Sequence, residues 1–558
     1  MKNLFVGLVA SLAFVALGQQ AQANVFTVHC VHNKTTDQAT FVSVLGASFG
    51  NLQNGDTVVV NGTSGGGTGL CAGDYLFEPS ITIVNSSGST SSALISTDGF
   101  DGMVEIAGGA DTSITGIVLS GTSLNGSPSN ATVTTEEVAA FPEVAALVVH
   151  DAAHVLLQNA QVGPSQVSGI YAVRSSGVSV INTTVAGNGQ GSGGSSFGTQ
   201  MSAGIFVADS SSVRLGEPDG SQAAAIGGNG LQSGSGCPGF GIILAQSSTL
   251  DDFASTIGGA SAGTGGTNAN TCGQMIMESG SSARIEATSI RQQDHTSFGN
   301  WAIQATDGST VFFDPNPNVS GAAANDTVTS GTTSANTSGA ILLAGSSSLV
   351  MNNATVTAPG TGQATIEAST GSSFLTAGGN TITNATANGV AVQIDHSSSF
   401  LQQKAENFGL SGGAESITGK GSVLMQSSME LGQGPTSVPS FSMVWNGTIA
   451  VGQNSAIRMQ SGSHVTGQVQ ISAASNGYFN CNNNNNSCSG TGAQNQIDGH
   501  VLCLQLTGSP NNPTAHVSNP QLIVDSSGVS GSGVVVANLF GPSSFATSTP
   551  AANTCLNF

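Results

Sequence analysis

Charge is what this chain has least of. Asp, Glu, Lys and Arg make up only 7% of its 558 residues, and of these 30 are acidic and 9 basic. So few Lys and Arg residues cannot build the clustered patch that nucleic acid demands, and that class of partner is excluded. Acidic polysaccharides are disfavoured on the same ground. Tryptophan and tyrosine are scarce, at 2 and 3 residues. No His-Glu-x-x-His and no paired Cys-x-x-Cys occurs, so neither a metal nor a cofactor is expected. Past the first 23 residues there is no long apolar run, and no membrane span is expected in the mature chain. Disorder is also excluded: charge density is low, and Val, Ile and Leu recur periodically.

The first 23 residues form a leader. Lys2 supplies a positive start, Leu4 to Leu17 an apolar stretch, and Ala21-Gln22-Ala23 a cleavage site. That pattern predicts a secretory signal peptide and a mature chain starting at Asn24, destined for the cell exterior, the cell surface or the periplasm. Eight cysteines in an exported chain predict disulfides. Cys237 and Cys272 each lie just ahead of a repeat and are expected to stack and bond. Cys481 and Cys488 bracket an Asn run and close a small loop. Cys503 and Cys555 fall near the C-terminus, and Cys30 and Cys71 near the N-terminus. Other pairings among these stay open.

The strongest pattern is a repeat. An apolar residue at position 0 is followed by a small or apolar residue at +2. A Ser/Gly/Asn-Ser pair usually follows at +5 and +6, and apolar residues at +8 and +10. Copies start at Leu147, Ile170, Ile205, Ile242, Ile303, Ile341, Ile366, Val392 and Ile449. Ile276 starts a copy that slips by one residue, and Val104 a looser one. The run Val423-Leu424-Met425 marks a further coil between 392 and 449. Each copy describes two short strands joined by a polar turn. A minimal coil takes roughly 23 to 26 residues, and longer spacings carry Gly/Ser/Thr/Asn loops near 187–199, 259–271 and 320–338.

Equivalent residues at equal offsets stack like on like when strands run parallel, about 4.8 Å apart. One coil cannot bury its own apolar face, whereas stacking makes a continuous core. A sandwich also has short strands, but it has no need for the same turn residues at the same offset in coil after coil. The fold class is therefore all-β, a right-handed parallel β-helix with disulfide-bonded ends. Residues 24–100 form the N-terminal cap and first coils, 101–470 the β-helix, and 471–558 a C-terminal cap covering the open strand edge.

The rungs, the opening Asn54-Gly55-Asp56-Thr57-Val58-Val59-Val60 and the Tyr75 loop resemble the right-handed β-helix of the pectin-lyase-like superfamily, over roughly residues 40–470. The resemblance implies the fold. It does not select an activity, because that superfamily holds lyases, hydrolases, epimerases, adhesin-like proteins and inert shafts. Its polygalacturonase motifs Asn-Thr-Asp, Gly-His-Gly and Arg-Ile-Lys are missing here. Its pectate lyases combine a calcium-binding acidic cluster with a catalytic Arg or Lys, and the only adjacent acidic pair on a rung here is Asp251-Asp252.

Surface positions offer one weak constellation. Position +4 holds Asp151, Arg174 and Asp209 in successive coils, with the two carboxylates about 9.6 Å apart along the axis. That is near the spacing of about 6.5–9.5 Å found in inverting glycosidases. His150 could act as acid or base, and Tyr171 and Phe206 at +1 could stack on a sugar ring. The +1 stripe continues as Ile243 and Met277. Read structurally, the same ladder is an exposed Asp–Arg–Asp ion-pair row. Arg214 and Asp251 at +9 form a second cross-rung pair, and Asp395-His396 sits at a corner. The expected function is that of an exported bacterial structural or surface-exposed, adhesin-like protein that meets a glycan or another cell-surface component. The alternative is a secreted carbohydrate-active enzyme acting on a neutral glycan.

Overall fold

The computed structural model describes most of residues 23–498. The exceptions are the segments 62–68, 87–91, 96–103, 121–144, 166–167, 189–201, 230–238, 259–269, 293–300, 320–324, 332–337, 361–362, 387–388, 403–414, 433–442, 460–462, 473–474 and 480–494, and a few single positions. Beyond 498 only backbone strands between 501 and 548 are described.

Each coil contributes one strand to each of three long parallel sheets, designated I, II and III in the order the chain enters them. In one coil these are Ala145–Val149, His154–Gln158 and Gln161–Val162, and the chain then returns to sheet I at Ser168–Ala172. The molecule is a right-handed parallel β-helix. Position 0 forms one unbroken register in sheet I: Leu147, Ile170, Ile205, Ile242, Met275, Ile303, Ile341, Ile366 and Val392. All are fully buried in one core with the +8 residues and the apolar +10 residues of sheet II. Burying each such side chain contributes about 1.5–3 kcal/mol.

The slipped copy is corrected here. Met275, not Ile276, pairs with Ile242, so Ile276 occupies +1 in place of Met277. Arg284 then falls at +9 and Ile285 at the inward +10 position, in register with Asp252 and Phe313. The coil marked by Val423 begins at Gly421, which pairs with Val392 and Ile449. Glycine stands at an apolar position because the Trp445 ring from sheet III fills the space. A Cβ on Gly421 would lie 2.6 Å from that ring.

The turn from sheet I to sheet II explains the paired small residues. Positions +4 and +5 both adopt left-handed backbone: Arg174 and Ser175, Asp209 and Ser210, Gln246 and Ser247. That conformation costs roughly 1–2 kcal/mol per non-Gly residue. Hydrogen bonds between coils offset it, from Ser175 N to Asp209 O (2.9 Å) and from Ser210 N to Gln246 O (3.0 Å). The serine at +6 is buried, and its hydroxyl accepts from the backbone of the preceding coil. Ser211 Oγ accepts from Ser176 N (3.0 Å), Ser372 Oγ from Ser347 N (3.2 Å) and Ser398 Oγ from Ser372 N (3.0 Å). Backbone pairing thus continues around the corner.

A helix, Lys34–Leu45, closes the N-terminal end. Asn33 caps it by accepting from Thr36 N at 3.1 Å. Phe41 and Leu45 lie on the first coils, with the Phe41 ring 4.3 Å from that of Tyr75. Buried Asp37 accepts from Val31 N, Asn33 N and Ala72 N, tying the helix to both sides of the Cys30–Cys71 disulfide. At the other end, parallel pairing does not stop near 470. It continues through Val501–Gln505 to Val534–Asn538, and an antiparallel strand, Ala546–Ser548, then lies on the last rung. Cys272 is disulfide-bonded. Cys237, Cys481, Cys488 and Cys555 lie outside the described residues, and Cys503 is described by its backbone alone.

Candidate functional site

The sheet I–II corner brings part of the expected constellation together. His150 Nε2 lies 2.6 Å from Glu105 Oε1 of the preceding coil, and its Nδ1 2.7 Å from Asp151 Oδ2. Arg174 Nη1 donates to Asp151 Oδ1 at 3.2 Å. The His150 hydrogen bond, and then Arg174, hold the Asp151 carboxyl below its ordinary range. The expected three-member ladder does not form as drawn: among the described residues, the ion pair of Arg174 is with Asp151, and none joins it to Asp209. Both ring nitrogens of His150 are engaged by carboxylates, which leaves neither free to serve a substrate.

The aromatic pair is also corrected. Tyr171 and Phe206 stack on each other, with centroids 5.3 Å apart and planes at 24°. Tyr171 is 7% exposed, and its neighbour in the stripe, Ile243, only 1%. The +1 stripe runs through two smaller apolar clusters outside the main core, with the partly buried Phe206 packed against both, and is not an open sugar platform. The Arg214–Asp251 pair does not form either. Arg214 turns to Glu217 of its own coil, at 2.7 Å, and lies over the Phe253 ring. Asp395 and His396 do sit at a corner, 2.9 Å apart.

A different site emerges on the outer face of sheet II. The outward positions +7 and +9 of five neighbouring coils line a groove of about 450 Å³ with Asp111, His154, Ser179, Ser212, Arg214 and Asp251. The depression forms because Gly177 contributes no side chain. A Cβ there would lie 2.4 Å from His154 Nδ1 and 3.3 Å from Ser212 Oγ, so both groups lean into the gap. Asp111 and His154 are register partners on adjacent strands. The exposed groups, free of internal bonds, make the groove a hydrogen-bonding surface: among the described residues the side chains of Asp111, His154, Ser179 and Ser212 make no hydrogen bond. Nothing in the repeat pattern pointed here, because the depression depends on which residues neighbouring coils place beside one glycine.

Two buried polar systems were also missed. Asn188, Asn229 and Asn270 follow one another at 41-residue intervals and are fully buried. Asn188 Nδ2 donates to Asn229 Oδ1 (2.9 Å), and Asn229 Nδ2 to Asn270 Oδ1 (2.8 Å). The relay continues through Gln274 and Gln292 to the carbonyl of Cys272. The equal spacing was the available signal. The second system consists of carboxyls. Asp252 stands at inward position +10 between Leu215 and Ile285. Burial pushes it up to about 7, against the pull of the Ser255 and Thr288 hydroxyls. Burial likewise raises Asp326 well above its ordinary value. Glu415 also rises to about 7, although Thr376, Gly378 and Asn380 all donate to it.

Among the described residues no three Asp, Glu, His or Cys side chains gather as a metal site, and no helix is long and apolar enough to cross a membrane. No family model and no curated protein matches the chain.

Proposed function

We propose that the chain is an exported, surface-exposed β-helix that binds a glycan non-catalytically, with the sheet II groove as its binding site. The groove carries this reading. It is concave, its walls offer carboxylate, imidazole, guanidinium and hydroxyl groups, and its polar side chains are largely unused internally, as a ligand site requires. A parallel stack holds these groups at a fixed pitch of about 4.8 Å, which suits an extended polar chain lying along the axis. The enzyme alternative draws on Asp111 beside His154, the one acid–imidazole pair in the groove.

The test is a glycan array probed with the full chain and with Gly177→Leu, whose side chain occupies the groove. Expected is a bound glycan that the variant loses by more than about tenfold while its circular dichroism is unchanged. Binding that survives Gly177→Leu, or no retained glycan at all, overturns the assignment. Release of reducing ends from the bound glycan, abolished by His154→Ala, would replace binding with catalysis.

A further inference from the structure

The buried carboxyls at the corner between sheets II and III have no role in the groove. Sheet II strand Thr249–Phe253 carries Asp251 outward and Asp252 inward, into a row that is otherwise apolar. Asp252 is 0% exposed, and neither of its carboxylate oxygens has a hydrogen-bond partner. Two coils on, Asp326 is also buried. Its Oδ1 accepts from Thr288 N at 2.9 Å, while Oδ2 has no partner. Thr288 belongs to the coil in between, and its hydroxyl approaches Asp252. The two acids therefore reach the same residue from opposite sides.

Among the described residues, no ion pair joins a cation to either acid. The charged groups facing this corner are Glu286, Asp314, Asp251 and Arg284. Arg284 lies on the outer face and is spent on Glu286 and Asp314. The hydroxyls of Ser255 and Thr288 and the Ser255 amide approach Asp252, and none makes a bond of normal geometry with it. A carboxylate buried without a partner is among the costliest groups a fold can hold, and the common relief is to take up a proton.

We propose that Asp252 and Asp326 form a proton-operated lock that closes the sheet II–III corner in acid and loosens it as the pH rises. Burial raises both folded values above the ordinary 3.8, that of Asp252 to about 7. The folded corner therefore holds protons that the opened chain releases. The stability contributed through Asp252 is full below 3.8, declines as pH climbs towards 7, and is gone above it; Asp326, raised by burial, adds a loss in the same direction. The affected coils are those contributing Thr249–Phe253, Thr256–Ile257 and Ser289–Gln292. They lie next to the groove, which Asp251 helps to line.

Hydrogen exchange of the full chain, followed by mass spectrometry and corrected for intrinsic exchange, tests this. Between about pH 5 and about pH 8, protection of peptides covering these strands should fall by more than about tenfold. Peptides around Asn229 should show no such change. In Asp252→Asn/Asp326→Asn most of the slope should be lost, the remainder being that of Glu286, which burial also raises. Infrared spectroscopy of Glu415→Gln, which removes the other buried acid raised to about 7, provides a second reading: a protonated-carboxyl carbonyl band at about pH 6 that is lost by about pH 9. Protection independent of pH, an undiminished slope in the double variant, or a missing band overturns the lock. Protection that follows added calcium instead of pH overturns it in favour of a cation at the same carboxyls.

Discussion

Replacing Asn229 by alanine interrupts the buried amide relay at its centre, and the structure sets the size of the effect. Asn229 Oδ1 accepts from both Asn188 N (3.2 Å) and Asn188 Nδ2 (2.9 Å). Its Nδ2 donates to Asn270 Oδ1 (2.8 Å) and Val185 O (3.4 Å). Alanine leaves the two Asn188 donors without this acceptor in a site closed to water. A buried donor left unsatisfied costs about 1–3 kcal/mol, and the cavity adds to it, so a loss of about 3–5 kcal/mol is expected. Coils contact only their neighbours, so the damage is local. Hydrogen exchange of the segment around Val185 and Asn188 should quicken by roughly a hundredfold to several thousandfold, at about 1.4 kcal/mol per tenfold. Asn229→Asp keeps the acceptor but sets a second oxygen against Asn270 Oδ1. It should be at least as damaging near neutral pH and recover in acid, where the new carboxyl is protonated. An alanine variant within about 0.5 kcal/mol of wild type would show that the relay contributes nothing beyond what packing supplies.

Two further outcomes follow from the buried acid in sheet III and from the N-terminal cap. Glu415 rises from 4.5 to about 7, so its folded form favours the proton and stability should fall as pH climbs across that window, by about 3 kcal/mol in total. Glu415→Gln retains Oε1 as acceptor for Gly378 N and Asn380 Nδ2 and can donate to Thr376 Oγ1. The variant should fold and flatten the pH dependence of the urea midpoint, and an unchanged slope refutes the assignment. Cys30→Ser/Cys71→Ser opens a loop of 41 residues at the end the helix covers. A loss of about 4 kcal/mol in N-terminal stability is expected by the chain-entropy model; denaturant unfolding followed at Tyr75 reads it, and a shift below about 1 kcal/mol would refute it.

The architecture was legible in the sequence because its core is a ladder. Ile205, Ile242 and Ile341 recur with the same neighbours, and register follows from that recurrence. The one slip arose where Met275 and Ile276 are both apolar, so that alternation alone could start the coil at either. Pairing with Ile242 decides it. The same period-2 geometry separates Asp251 from Asp252, which read as one acidic pair and face opposite sides of the sheet. The candidate site was much less legible. Tyr171 and Phe206 were placed correctly side by side, yet burial depends on what covers the outer face, and the repeat does not encode that. Arg214 had two carboxylates within reach and took the one on its own coil. The groove at Gly177 depends on one missing side chain between His154 and Ser212, a property of three coils together.

The left-handed corner between sheets I and II has a consequence for how such a molecule can change. At +4 and +5 the recurring inter-coil bonds are made by main-chain atoms, and the side-chain bonds that recur come from the buried serine at +6, so the turn does not depend on the side chain at +4. Asp151, Arg174, Asp209, Gln246, Thr370, His396 and Gln453 all occupy the same backbone state there. Sequence at these positions can drift without altering the shape beneath it. They form a column of interchangeable display points, one per rung at about 4.8 Å intervals. A weak contact made at one rung could be copied to the next, and the linked contacts would gain avidity through effective concentration, with no new fold required.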